Sequence, residues 1–167
     1  GNLTDHYDPR NKVLRLSDAT YGQCSVAAVG VAAHECGHAI QHARGYAPLQ
    51  FRSALVPVAN FGSMIAWPLI VLGLFINSQS SALLINIGIL AFSLAVLFQL
   101  VTLPVEYNAS GRAVRILAET GMMQGEEIVA TKKVLNAAAL TYVASAAAAI
   151  LQLVRILILT GGRRRDD

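Results

Sequence analysis

The sequence predicts a mainly α protein, a membrane helical bundle with a metal-binding helix and a short N-terminal β-hairpin. Three observations predict it. Hydrophobic residues make up 54% of the 167-residue chain and charged residues only 14%, too apolar a balance for a water-soluble domain of this length. The apolar residues are bunched: residues 58–76 (VANFGSMIAWPLIVLGLFI) and 82–104 (ALLINIGILAFSLAVLFQLVTLP) carry no charge, and each is long enough to span about 30 Å of hydrocarbon. Between the chain start and these spans, His34-Glu35-Cys36-Gly37-His38 lies in an Ala/Val-rich run of helical character.

The first element is the hairpin. Leu3-Thr4-Asp5-His6-Tyr7 and Lys12-Val13-Leu14-Arg15-Leu16 flank Asp8-Pro9-Arg10-Asn11, which reads as two short strands around a Pro-containing turn. Such a strand edge can hold extended peptide through backbone hydrogen bonds that any sequence offers, or it can simply cover the next helix. His6 and Tyr7 stand where they could polarise a carbonyl, although nothing local assigns them that role.

Residues 25–43 (SVAAVGVAAHECGHAIQHA) contain no Pro, and Ser25 is a natural N-cap, so this run is expected to be a helix. Histidines at i and i+4 leave one helix face with side-chain origins about 5–6 Å apart, so His34 and His38 can grip one ion. Glu35 beside them can take a proton from a metal-bound water, the arrangement of HExxH zinc peptidases. His42 is too far to join, about 12 Å beyond His34 along the axis at 1.5 Å per residue. It reads as a helix-face histidine within reach of substrate at most.

Two spans joined by the short turn 77–81 (NSQSS) return the chain to the side it left. Trp67-Pro68 predicts a kink in the first. Directly after the second comes Leu103-Pro104-Val105-Glu106-Tyr107-Asn108-Ala109-Ser110. Glu106 is the carboxylate expected to complete the metal site, with interfacial pairing to Arg112 as its structural alternative. Glu119, Glu126 and Glu127 fall in the polar stretch ETGMMQGEE, which reads as a solvated turn and helix start and makes them weaker candidates. Residues 137–160 hold one charge, Arg155. They read as a third span, with Arg155 close enough to the end to snorkel and with small residues suited to close helix packing.

Charge sets the orientation. Arg10, Lys12, Arg15, Arg44, Arg52, Arg112, Arg115, Lys132 and Lys133 all lie in segments 1–57 and 105–136, while the NSQSS turn has no Lys or Arg. The positive-inside rule then puts the metal site in the cytoplasm. Arg163-Arg164-Arg165 pull the other way if 137–160 crosses fully, so either the majority prevails or that run does not cross. Cys24 and Cys36 lack zinc-finger spacing and read as small packing residues; they are consistent with a reduced environment and do not settle the compartment. The net charge of +3 is juxtamembrane, without aromatic interleaving, which argues against nucleic acid as a partner.

The chain opens on Gly1 and shows no signal-peptide pattern, so this topology count leaves out any preceding segment. No repeat or low-complexity linker divides it. It reads as one unit: 1–57 hairpin and HExxH helix, 58–76 and 82–104 transmembrane, 105–136 third-ligand segment, 137–160 third transmembrane helix.

Taken together, LTDHYDPRNKVLRLS, VAAHECGHAIQHARGYAPLQFRSALVPVAN and LPVEYNASGRA resemble the YugP-type membrane-bound neutral zinc metallopeptidases over nearly the whole chain. Members of that family usually carry an additional N-terminal apolar helix and linker. The resemblance reaches more loosely to HtpX-type and CAAX prenyl membrane proteases. It implies a gluzincin-like zinc endopeptidase of the bacterial cytoplasmic membrane, acting on protein or peptide substrate, with Zn2+ on His34, His38 and Glu106 and with Glu35 as base. In those relatives an Asp usually stands four residues after the ligand Glu. Here that position is Ser110, which leaves Asn108 or Ser110 to orient the site.

Other readings carry less. A di-iron bundle needs two ExxH units, and only Glu35-Cys36-Gly37-His38 is present. An intramembrane site-2 mechanism needs a carboxylate in a later span, and 82–104 has none. A non-catalytic scaffold or chaperone-like module with a structural metal would close the site with four ligands, usually Cys and His.

Overall fold

The computed structural model describes residues 4–76 and 80–161. Residues 77–79 of the NSQSS turn, Leu3 and Arg163-Arg164-Arg165 lie outside that range. The chain is mainly α, with the expected hairpin first. Strands β1 (His6–Asp8) and β2 (Val13–Arg15) pair antiparallel, with Tyr7 opposite Leu14. The Asp8 carboxylate closes the turn, accepting from the Arg10 and Asn11 backbone N–H groups and from the Asn11 side chain.

Helix α1 (Val26–Ala43) starts at Ser25, whose hydroxyl accepts the Ala28 N–H at 3.2 Å. Helix α2 (Ala47–Phe75) begins well before the span read from the sequence. Pro48 falls in its first turn, where a missing N–H costs nothing, and Pro57 and Pro68 are both accommodated within it. Helix α3 (Ser81–Glu119) likewise runs without a break across the boundary that the sequence placed after residue 104. Pro104 withholds one N–H from the ladder, and no capping residue there ends the helix. After the turn that contains Gly121 and Gly125, α4 (Glu126–Gly161) runs to the end of the described residues.

Three of these helices, α2, α3 and α4, are long and apolar enough to cross a membrane. Many of their large side chains are exposed, among them Phe61, Met64, Leu83, Leu90, Leu151 and Ile158. A bilayer provides the apolar surroundings that water does not.

Cα packing divides the chain into two compact units. The first comprises Gly1–Gln50 and Leu103–Tyr142, and its core joins Ala33 of α1, Ala113 and Leu117 of α3, Leu135 of α4 and Met123 of the turn. The sequence marked the Met123 stretch as solvated, yet this side chain is buried and its sulfur receives the Thr131 hydroxyl at 3.1 Å. The second unit comprises Phe51–Thr102 and Val143–Asp167. Within it α2 and α3 approach backbone to backbone: a Cβ on Gly62 would stand 2.8 Å from the Ala91 carbonyl oxygen. Small residues at such contacts are what allow apolar helices to gain dispersion energy where no hydrophobic effect drives them together.

Candidate metal centre

All of the site's residues belong to the first unit. Helix α1 presents His34 and His38 one turn apart, with ring centroids 4.7 Å apart and planes nearly perpendicular. Glu106 comes from α3, 2% exposed. Its Oε2 lies 3.1 Å from His34 Nε2 and 3.5 Å from His38 Nε2, and one donor atom from each of the three residues falls within 4.8 Å of the others.

The close approach of α1 to α3 depends on Gly37. A Cβ there would stand 2.5 Å from the Ala109 carbonyl oxygen and 3.0 Å from its carbon, so any side chain would push α3, and Glu106 with it, away from the histidines. Gly37 occupies one of the two variable positions of HExxH, and the motif itself gives no hint of this role.

A chain of hydrogen bonds fixes which nitrogen of His38 carries the proton. Arg112 can only donate, so its Nε, 2.8 Å away, turns the carbonyl oxygen of Asn108 toward itself. That oxygen also accepts from Gln41 Nε2 at 3.0 Å, and the same Nε2 donates to the Val105 carbonyl at 2.8 Å. Gln41 therefore offers Oε1 to His38 Nδ1 at 3.0 Å, and His38 must donate from Nδ1. Its Nε2 lone pair is left facing Glu106. His34 is placed likewise, with Nδ1 3.0 Å from the Ser110 hydroxyl, a group that can donate or accept, and Nε2 toward Glu106.

The Nε2 atoms of both histidines thus converge on one buried carboxylate oxygen, an arrangement that favours a cation or a proton among them. Ligands on a tetrahedral zinc with Zn–N of 2.0–2.1 Å lie about 3.3 Å apart, which matches the 3.1 and 3.5 Å separations. The donors fit zinc in type, and the two histidine–carboxylate separations fit it in spacing, with all three donor atoms within 4.8 Å of one another. Burial disfavours charge on His38, but the hydrogen bond and negative charge of Glu106, aided by Gln41 and Glu35, outweigh it and hold the pKa above the ordinary histidine value. The same attraction for a proton would draw a metal ion.

The site opens into a cavity of about 170 Å3 lined by residues of α1, α3 and α4. Glu35, 8% exposed, is part of its wall beside His34 and Glu106. Asp5 completes it from the chain just before β1. Burial raises the Asp5 pKa, but hydrogen bonds from the Ser17 N–H at 2.8 Å and the Ser17 hydroxyl at 2.9 Å prevail and leave it below the usual aspartate value.

The chain matches, over residues 1–161, the family described as "Putative neutral zinc metallopeptidase". It belongs to this family. It is also 47% identical over 164 residues to the Bacillus subtilis (strain 168) protein described as "Putative membrane protease YugP", a match that covers 98% of this chain and 72% of that one. No solved structure matches the chain.

The structure brings together His34, His38, Glu35 and Glu106, and places Ser110 against His34. It puts the other candidates elsewhere. The His42 ring nitrogen is 2.8 Å from the Tyr7 hydroxyl, so these two residues tie the hairpin to α1. His6 is exposed, and its ring bonds the Thr4 carbonyl. Glu119, Glu126 and Glu127 are exposed at the end of α3 and the start of α4. Neither cysteine is disulfide-bonded. Cys24 is exposed rather than packed, in the irregular segment just before the Ser25 cap, while burial and the Glu35 charge raise the pKa of Cys36. Gln41, Gly37 and Asp5 escaped the sequence reading. For Gln41 a signal was present, since a residue three beyond His38 shares its helix face.

Proposed function

We propose that the chain is a membrane-embedded zinc-dependent metalloendopeptidase, with zinc on His34, His38 and Glu106 and with Glu35 as general base. The observation that carries this reading is the convergence of two imidazole Nε2 atoms on one Glu106 oxygen, with each opposite ring nitrogen already engaged by Gln41 or Ser110. Three protein donors leave a tetrahedral ion one open position, the mark of catalytic rather than structural sites. Zinc bound there would supply a Lewis acid for the scissile carbonyl and lower the pKa of the attacking water to about 7.

The chain's own residues do the rest. Glu35 takes a proton from that water and returns it to the leaving amine, so one carboxylate serves as base and then as acid. Asn108 and Arg112 hold Gln41 in the orientation that fixes His38, and Ser110 does the same for His34. The substrate is a protein or peptide, the lipid bilayer is the second partner, and nucleic acid has no part. Nine Lys and Arg residues in segments 1–57 and 105–136 support a multi-pass protein of the bacterial cytoplasmic membrane with its site toward the cytoplasm.

Glu35→Gln tests the reading, because it keeps shape and removes the base. The variant purified in detergent is expected to retain zinc and to lose about 10²- to 10⁴-fold in the rate of cleavage of an unfolded protein. A chelator should abolish wild-type cleavage, and added zinc should restore it. Undiminished cleavage by Glu35→Gln would remove Glu35 from the mechanism. A zinc-loaded wild-type chain that cleaves nothing would return the protein to the scaffold reading.

A further inference from the structure

The cavity beside the metal centre has two chemically distinct walls. One is the site itself: His34 and Glu35 of α1, Glu106 and Ser110 of α3, with Asp5 at the edge. The other is mostly apolar, with the Tyr142 hydroxyl its one polar side-chain group. Leu135, Ala138, Ala139 and Tyr142 recur at i, i+3, i+4 and i+7 along α4, which is one helix face, and Val31 stands one turn before His34 and Glu35 on α1. Leu135 and Ala139 are each 3% exposed, whereas Ala138 is exposed.

The apolar wall is smooth because two of its residues are alanines. With larger side chains at 138 and 139 the space of about 170 Å3 would be largely filled. An apolar cavity of about 150 Å3 takes up one benzene molecule. Because the scissile group must also reach His34, Glu35 and Glu106, the space left along α4 holds one branched aliphatic or aromatic side chain at most. Three carboxylates, Asp5, Glu35 and Glu106, face the same space. An acidic side chain seated against the α4 wall would lose hydration, and no Lys or Arg among the described residues lines the space to pair with it.

On the peptidase reading above, on which this inference rests, we propose that the cavity is a specificity pocket for one apolar side chain flanking the scissile bond. It favours residues of the size of leucine or phenylalanine and rejects aspartate and glutamate. Ala138 and Ala139 set its depth.

The test is cleavage of a diverse peptide mixture by the full-length, zinc-loaded protein in detergent, with every cut site mapped by mass spectrometry. Wild-type protein is expected to show Leu, Ile, Met or Phe enriched at least about fivefold at one of the two flanking positions, with Asp and Glu depleted there. Ala139→Phe is expected to shift that position to Ala, Gly and Ser while zinc stays at the wild-type stoichiometry. Because Ala139 is buried and the variant can fail to fold, Ala138→Leu provides the second arm, with a smaller shift in the same direction. Cuts without apolar enrichment would overturn the pocket and leave the peptidase reading standing. So would an unchanged preference in a zinc-retaining Ala139→Phe or Ala138→Leu protein. No cuts at all by the zinc-loaded wild-type chain would overturn both.

Discussion

At the scale of single residues, the site is organised by groups that never touch the metal position. Gln41 is fully buried, and it converts the fixed donor geometry of Arg112 into a fixed proton on His38 Nδ1. Replacing it with Met keeps the volume and removes the acceptor. Gln41→Met is expected to lower zinc affinity by about 10- to 100-fold, read by competition with a chelating dye, while α-helical circular dichroism stays unchanged. Affinity equal to wild type would show that His38 needs no such partner. The juxtaposition of His34 and His38 was legible because HExxH encodes their spacing within one helix. Glu106 was legible through its place directly after a span. Gln41 shares a helix face with His38, but that position does not report its bonds to Val105 and Asn108 of α3, and the role of Gly37 likewise depends on Ala109, more than sixty positions away in sequence.

At the scale of elements, the decisive contact is α1 against α3. Gly37 lets the Ala109 backbone come close enough for one Glu106 oxygen to meet both histidines. Gly37→Ala is expected to cost about 1–3 kcal/mol, as overpacking does, and to reduce zinc affinity at least tenfold, seen as a lower melting temperature and a lower metal content after dialysis. A protein with wild-type melting and full zinc would show that α3 yields without moving Glu106. Element identity was largely readable from the sequence: the hairpin, the Ser25-capped helix and three apolar runs all have strong local signals. Element ends were not. Helices α2, α3 and α4 extend beyond the apolar windows because hydropathy marks where a chain tolerates lipid, not where its backbone stops being helical. The prolines at 48, 57, 68 and 104 end none of these helices.

At the scale of the whole molecule, three helices suited to a bilayer and one cation-rich set of segments predict a single orientation. Cys24 is exposed and lies just before the metal-site helix, so it reports the side on which that helix stands. A membrane-impermeant maleimide is expected to label it in inside-out vesicles and not in intact spheroplasts, and Cys24→Ser should lose the signal. Labelling from the outer side only would reverse the orientation. Topology was the reading most exposed to conflict, since Arg163-Arg164-Arg165 counts against the majority. The central claim is narrower: His34, His38 and Glu106 together hold one zinc ion. Metal content of the purified full-length chain, wild type beside Glu106→Ala, tests it most directly. One zinc per wild-type chain, and less than about a tenth of that in Glu106→Ala after the same dialysis, is the predicted result. Zinc retained undiminished in Glu106→Ala would contradict it.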